Sequence, residues 1–508
     1  MLRAQPVAIT LRLTILFLLF AGCGSDRERT EPWAPGRVFV LGLDGLDPGL
    51  VSRFEKEGLL PHFAQLRKEG AVGRVRSTIP MISPPAWTSA STGTLPADHG
   101  IWSFWLPTGG ARGAWADATD RLAPAIWEDL SANGRSVGIV NVPMSCPPDT
   151  VNGFMISGFP YPEGAPLTWP PSLEQEIVRD GWLRDAFGGP PEPGREEQWL
   201  AEVRKIAEAR RRIGLGLLFE RKPDFSFIVF TTPDRIQHHL WKFHDPRHPH
   251  HRADASDVLK NAVRDAYVWC DAVLGEVMAK LPEGTTLLVV SDHGFGPAYL
   301  GISKARVLAD LAANGSGVAT SRNLFGGDFY LEDRAAESRA RVATALSALV
   351  GDSGQPLVQA VHDTRAEEHR GWGADLGPDL VAEEAEGFLF VPGEATDPLV
   401  GPLPPTAFSG YHRRAGFFAA RGRPIVPGEV RDCSLPDVPA LALHLLGEKI
   451  PRRYTQNVPR RLFPAEHFLK RPMEYVGRPQ EGLRKPDRAT FRIDPAVEEQ
   501  LRGLGYVN

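Results

Sequence analysis

Six carboxylate and imidazole side chains in this sequence are candidates to hold a divalent ion. Asp234 and His238 stand four apart, one turn of a helix, and so can share a face. Asp292 and His293 are adjacent in Ser291-Asp292-His293-Gly294, and a tight turn could place both on one ion. Asp44 directly follows an apolar run, and His412 lies late in the chain, in Ser409-Gly410-Tyr411-His412. Carboxylate oxygen and imidazole nitrogen are the donors that catalytic zinc accepts. Each piece alone has an ordinary explanation: an aspartate after a strand caps a turn, and a single histidine sits on a surface. Their joint occurrence, each after an apolar run or in a short loop, points to one metal centre.

A nucleophile candidate accompanies them. Ser83 opens Ser83-Pro84-Pro85-Ala86-Trp87-Thr88. Serine is a preferred N-cap, proline suits the first helical turn, and Gly93 is placed to end the helix. A hydroxyl there would lie near free backbone N–H groups and the positive end of the helix dipole, which suits a phosphate. A metal ion would lower its pKa and ready it for attack. Read without the other residues, Ser83 is simply a cap. Thr88, Ser89, Ser91 and Thr92 read as helix-face and packing residues, and Trp87 and Trp241 as core. His239, His244, His248, His250 and His251 crowd the stretch after His238; a solvated loop is expected there, with an additional metal site as the alternative.

The elements that must position these groups are short apolar runs. Val38–Leu43 and the stretches 136–142, 225–231, 285–291 and 417–420 read as strands, buried on both faces where they are continuously apolar. Asp47-Pro48 and Gly58 bracket a helix, and residues 256–281 carry apolar positions at three- and four-residue spacing. Strands alternating with helices predict an α/β fold: a mixed, largely parallel sheet with helices on both faces. In such sheets, sites form beyond the carboxyl ends of the strands. Asp44, Asp234 and Asp292 each come after such a run, so three carboxylates distant in sequence could meet at one edge. Residues 301–400, with helical stretches and strands expected at 329–331 and 379–390, read as an inserted cap. Residues 149–206, rich in Pro, Gly and Trp, read as loop and short helix near the site. A catalytic domain is expected over 37–450 and a C-terminal extension over 451–508.

Arg3 and Arg12 precede the apolar run 13–21, and Leu19-Phe20-Ala21-Gly22-Cys23 resembles a bacterial lipobox. Residues 1–22 are therefore expected to be a lipoprotein-type signal peptide, Cys23 the lipidated first residue of the mature chain, and 23–36 a polar tether. The apolar run is too short to span a bilayer. The expected location is outside the inner membrane, lipid-anchored to a bacterial membrane on its periplasmic or cell-surface side. A net charge of −5 argues against a nucleic-acid polymer as partner. Cys146, Cys270 and Cys433 fit no zinc-knuckle or disulfide spacing and are expected as buried thiols.

Taken in order, Val40-Leu41-Gly42-Leu43-Asp44-Gly45, Ser83 to Thr88 with Thr92-Gly93 and His99-Gly100-Ile101, Asp234 to His238, Ser291 to Gly294, and Ser409 to His412 resemble the type I phosphodiesterase/nucleotide pyrophosphatase branch of the alkaline phosphatase superfamily. The resemblance spans roughly residues 37–445. It implies an alkaline-phosphatase-like fold and two divalent ions, zinc first and manganese as the alternative. It implies that Asp234, His238 and His412 hold one ion, that Asp44, Asp292 and His293 hold the other, and that Ser83 is the nucleophile beside the second. The implied activity is hydrolysis of a small-molecule phosphate ester, a diester in the first place. A phosphomonoesterase, a phosphonate hydrolase, a phosphoryl-group transferase or a non-catalytic binding lipoprotein are the alternatives. Two departures matter. Serine stands where the nucleotide pyrophosphatases carry threonine, and Ala86 stands where they carry asparagine. A Cys-x-Pro-x-Arg motif is absent, which argues against a formylglycine sulfatase.

Overall fold

A computed structural model describes residues 36–106, 114–184, 190–366, 371–404, 407–454, 458–479 and 481–484. The expected signal peptide, Cys23 and nearly all of the tether lie outside the described residues, as does the end of the C-terminal extension. Among the described residues no helix is long and apolar enough to cross a membrane.

The main sheet has nine strands: β1 (Val38–Leu43), β2 (Ala71–Arg76), β3 (Val137–Val140), β4 (Gly153–Ile156), β5 (Thr168–Trp169), β6 (Phe225–Phe230), β7 (Thr286–Val290), β8 (Ala415–Arg421) and β9 (Gly428–Ser434). Their spatial order is β9-β2-β8-β7-β1-β6-β3-β4-β5. Only β5 and β8 run against the others. The three central strands β7, β1 and β6 are parallel neighbours, and every residue of each is buried. That is why their sequences are continuous apolar runs rather than alternating ones: helices cover both faces.

Helix α1 (Pro48–Lys56) starts where Asp47 accepts a hydrogen bond from Leu50 N, with proline in the first turn. It is followed by α2 (Pro61–Glu69), the buried α3 (Ser83–Thr92), α4 (Thr232–His244) and α5 (Ala262–Lys280). The periodic stretch expected as one helix over 256–281 is two. Ser256 caps a single turn, Asp257–Lys260, which stops at Asn261 before α5 begins. Residues 149–206 hold more structure than expected. They supply β4, the edge strand β5 beside it, and most of a 15-residue helix, Glu196–Arg210. Proline and glycine there mark turns between elements rather than a long loop.

A second hydrophobic cluster, including Phe329, Leu380, Phe390, Val342 and Leu346, forms within the expected cap region. Four strands in the order Ala319–Thr320, Gly327–Leu331, Leu380–Glu384, Val358–Asp363 pair antiparallel there, beside helices Lys304–Ala313 and Ala336–Ser347. The strand expected over 379–390 is two, Leu380–Glu384 and Gly387–Val391. The second leaves this sheet to pair with Gly294–Ser303. Cys146, Cys270 and Cys433 are buried free thiols.

Candidate metal centre

The carboxyl ends of β1, β6 and β7 carry the three aspartates. Asp44 follows β1 directly, and its N–H is held by Phe230 O of β6 at 3.0 Å. Asp234 lies in the first turn of α4, just after β6, and His238 follows one turn later on the same face. Asp292 and His293 follow β7. The chain then forms the strand Gly294–Ser303, whose start pairs antiparallel with Gly410–Arg413, setting Phe295 opposite His412. That pairing brings the rings of His293 and His412 to 3.7 Å between centroids. All six side chains are buried.

They form two overlapping groups. In the first, His238 Nε2 and His412 Nε2 are 2.9 Å apart, and Asp234 Oδ1 lies 3.3 Å from the former and 3.2 Å from the latter. In the second, His293 Nε2 lies 3.6 Å from Asp44 Oδ1, 3.8 Å from Asp234 Oδ1 and 3.2 Å from Asp292 Oδ2. Asp44, Asp234 and His293 offer ligand atoms that lie within 4.8 Å of one another. Asp292, which the resemblance groups with Asp44 and His293, approaches His293 Nε2 through Oδ2, while its other oxygen accepts from Gly45 N at 3.2 Å. Asp234 Oδ1 thus faces both groups.

The donor chemistry fits divalent ions. His238 directs Nδ1 to Gly410 O at 3.0 Å and His293 directs Nδ1 to Gly294 O at 3.1 Å. A carbonyl can only accept, so each ring carries a proton on Nδ1 and, in its neutral form, turns a lone pair at Nε2 into the site. The Nε2 of His238, the Nε2 of His412 and a carboxylate oxygen then crowd within hydrogen-bond distance of one another. Asp292 Oδ2 is buried without a protein hydrogen-bond partner. Such convergence of buried lone pairs is costly unless a cation sits among them.

Charge follows the same pattern. Burial, with Asp292 and Asp234 adding repulsion, holds Asp44 well above the usual carboxylate range. Burial and Asp234 push Asp292 up to about 8. Burial would raise Asp234 too, but His238 and His412 outweigh it and keep that carboxyl well below its ordinary value. Burial lowers both His293 and His412, so neither carries charge readily.

Ser83 lies beside the second group. Its Oγ is 3.5 Å from Asp44 Oδ1 and 3.5 Å from His293 Nε2. It is the first residue of α3 rather than its cap; Ile82 holds the cap position in extended geometry. The expected ring of free N–H groups is largely missing. Pro84 and Pro85 have none, and Ala86 N is engaged by Ile82 O at 3.2 Å. Within that turn only Ser83's own N–H is left to face an anion, and Ala86 adds a methyl group, fully buried.

Several supports were not legible as such in the sequence. Trp87, expected as core, is core and more: its indole N–H donates to Asp44 Oδ2 at 2.9 Å. The ring fits because β1 carries Gly42, where a Cβ would come 2.7 Å from Trp87 Cη2. Ser291 Oγ donates to His293 O at 2.6 Å and accepts from Leu46 N at 2.8 Å. Gly45 turns with φ +68° against Asp234, where a side chain would be strained. The histidines after His238 are not a solvated loop. His239 and His248 are buried, His248 meets Ala298 O at 2.9 Å, and His250 meets Leu403 O at 2.8 Å. They pin the segment after α4 to its neighbours. Phe408 stacks on His238 at 3.9 Å and meets Phe325, in the region expected as a cap, at 4.8 Å.

A family model described as type I phosphodiesterase/nucleotide pyrophosphatase matches residues 38–410. Phosphonoacetate hydrolase from Sinorhizobium meliloti 1021, solved with phosphonoformate, superposes with a TM-score of 0.57 at 19% identity, over 82% of this chain and 97% of that one. The same enzyme with phosphonoacetate gives a TM-score of 0.55 at 20% identity, over 82% and 97%. Murine ectonucleotide pyrophosphatase/phosphodiesterase 5 gives 0.48 at 16% identity, over 81% and 95%. A search of curated proteins found no match. The phosphonoacetate hydrolase superpositions establish the alkaline-phosphatase-like fold.

Proposed function

Since the chain belongs to the type I phosphodiesterase/nucleotide pyrophosphatase family, a family of metal-dependent phosphoester hydrolases, we propose that it cleaves a small-molecule phosphate diester with Ser83 as nucleophile. The observation that carries this reading is the Ser83 hydroxyl, set 3.5 Å from Asp44 Oδ1 and from His293 Nε2 at the head of a buried helix. Asp234, His238 and His412 would hold one divalent ion, and Asp44, Asp292 and His293 the other, with Asp234 close to both. Zinc is the ion the nitrogen and oxygen donors favour, and manganese is the alternative. Bound there, the ions would stabilise charge on the phosphoryl oxygens and favour an ionised serine hydroxyl.

The protein's own part is an in-line displacement. Ser83 Oγ attacks phosphorus, and the bond from phosphorus to the alcohol oxygen breaks with its electron pair leaving on that oxygen. Water then attacks the seryl phosphoester and returns the hydroxyl to Ser83. Two inversions retain configuration at phosphorus. With proline at the two positions after Ser83 and alanine next, α3 itself offers little to the phosphoryl oxygens. Charge stabilisation falls on the metal groups.

The test is hydrolysis of bis-nitrophenyl phosphate beside the mono-nitrophenyl ester by purified protein, stripped of metal and then supplied with zinc. Zinc-dependent cleavage favouring the diester, lost in Ser83→Ala while metal content stays unchanged, is the expected result. Full activity of Ser83→Ala would remove the serine mechanism, and a monoester preference would replace the substrate class.

We further infer export and anchoring through lipidated Cys23, supported by the lipobox-like sequence. Fatty-acid labelling that persists in Cys23→Ser would refute it.

A further inference from the structure

Helix α4 carries two ligand candidates one turn apart, and Gln237 stands between them, fully buried. Its Nε2 donates to Gly45 O at 2.8 Å and to Pro233 O at 3.1 Å. Its Oε1 accepts from the Tyr267 hydroxyl of α5 at 3.0 Å. The Tyr267 oxygen in turn accepts from Asp47 N at 2.9 Å. Carbonyls can only accept, so these partners fix which end of the amide is nitrogen. The turn after β1, which begins with Asp44, is thereby held at Gly45 and at Asp47 by a single relay.

The same helix anchors the far side of the site through its backbone. His238 O accepts from Ser409 N at 2.7 Å and from Ser409 Oγ at 3.0 Å, which fixes the segment leading to His412. Helix α4 therefore presents Asp234 and His238 directly, ties down His412 through Ser409, and ties down Asp44 through Gln237. A methionine at position 237 would fill the space but leave Gly45 O and the Tyr267 hydroxyl without these partners in a buried place. Groups in that state are expensive, and the turn would shift to relieve them.

We infer that Gln237 is a positioning residue that fixes the Asp44 half of the site at its working separation from the Asp234–His238–His412 half. The inference rests on the two-metal reading above. Its test is zinc titration of the metal-stripped full chain by calorimetry, with the two binding phases assigned from His412→Ala and His293→Ala. Gln237→Met should weaken the phase that His293→Ala abolishes by about 10- to 100-fold and leave the other within about threefold, the scale on which residues behind metal ligands act. Its kcat should fall with little change in KM. Tyr267→Phe should weaken the same phase by less, and the double variant should fall short of the sum of the two, as expected for members of one hydrogen-bonded relay. Equal weakening of both phases in step with a lower Tm of the metal-free protein would reduce Gln237 to a general packing residue. Two unchanged phases would also overturn the role. A wild-type chain that binds fewer than two zinc ions would overturn the two-metal reading itself, and this role with it.

Discussion

Zinc loading should expel protons from this site, and Asp292 sets a lower bound on how many. Its carboxyl is held up to about 8 by burial and by Asp234, so at pH 7 about nine-tenths of metal-free molecules carry a proton there. Asp44, also raised, adds to that number. His293 and His412 are lowered by burial and so arrive neutral, with nothing to release. Calorimetric titration with zinc in buffers of different ionisation enthalpy counts the protons directly. About one proton or more should leave per protein at pH 7, and Asp292→Asn should lower the count by about nine-tenths. Heats that do not depend on the buffer at pH 7 would refute the raised carboxyls. The same carboxyl has a sign for stability. In the unfolded chain it ionises near its ordinary value, about 4, but in the folded metal-free chain it keeps its proton to about 8. The folded state binds the extra proton between those values, so stability falls as pH rises through that window. Buried histidines such as His248, lowered to about 4, act the other way, but only up to about 6.5, where the unfolded chain has lost those protons. From there to pH 8, Asp292 should cost the metal-free protein about 2 kcal/mol, at about 1.4 kcal/mol per pH unit. Asp120 and Glu384, each near 7, contribute with the same sign, so the quantity to read is the difference between wild type and Asp292→Asn.

Trp87→Phe removes the N–H that Asp44 Oδ2 accepts at 2.9 Å and should destabilise the metal-free protein by about 1–3 kcal/mol, read by denaturant unfolding. Zinc affinity should drop with it. Gly42→Ala puts a Cβ 2.7 Å from both Trp87 Cη2 and Val229 Cγ2, and overpacking of that kind costs about 1–3 kcal/mol in the same assay. His412→Ala should reduce bound zinc from two ions to one by elemental analysis and lower hydrolysis by about a hundredfold or more, because the other group retains all its donors. Ser83→Ala should keep both ions while losing turnover by a similar or larger factor.

Much of the fold could be read from the chain because burial on two faces leaves a plain mark. The runs at Val38–Leu43, Phe225–Phe230 and Thr286–Val290 are continuously apolar since helices cover both sides of the sheet. The residue types and order of the site were legible for a related reason: chemistry at a strand end requires particular donors at particular places. What the sequence could not decide was distance. That Asp234 Oδ1 lies within 4 Å of histidines in both groups depends on how α4 seats against the turn at Gly45. That Trp87 serves Asp44, and that Gln237 and Tyr267 bind the same turn, depends on contacts between residues 43, 192 and 220 positions apart. A buried tryptophan, glutamine or tyrosine looks the same in sequence whether its polar atom meets a site or merely a neighbour. Local propensity also misled where tertiary packing overrode it. Proline-rich residues 149–206 gained strands from pairing with the sheet edge, and the crowded histidines after α4 found carbonyl partners on distant segments. The sequence by itself determined which groups are present and which elements carry them, because composition and periodicity are local. The tertiary structure alone decided which of those groups share a proton, an ion or a hydrogen bond, because such interactions fade within a few ångströms.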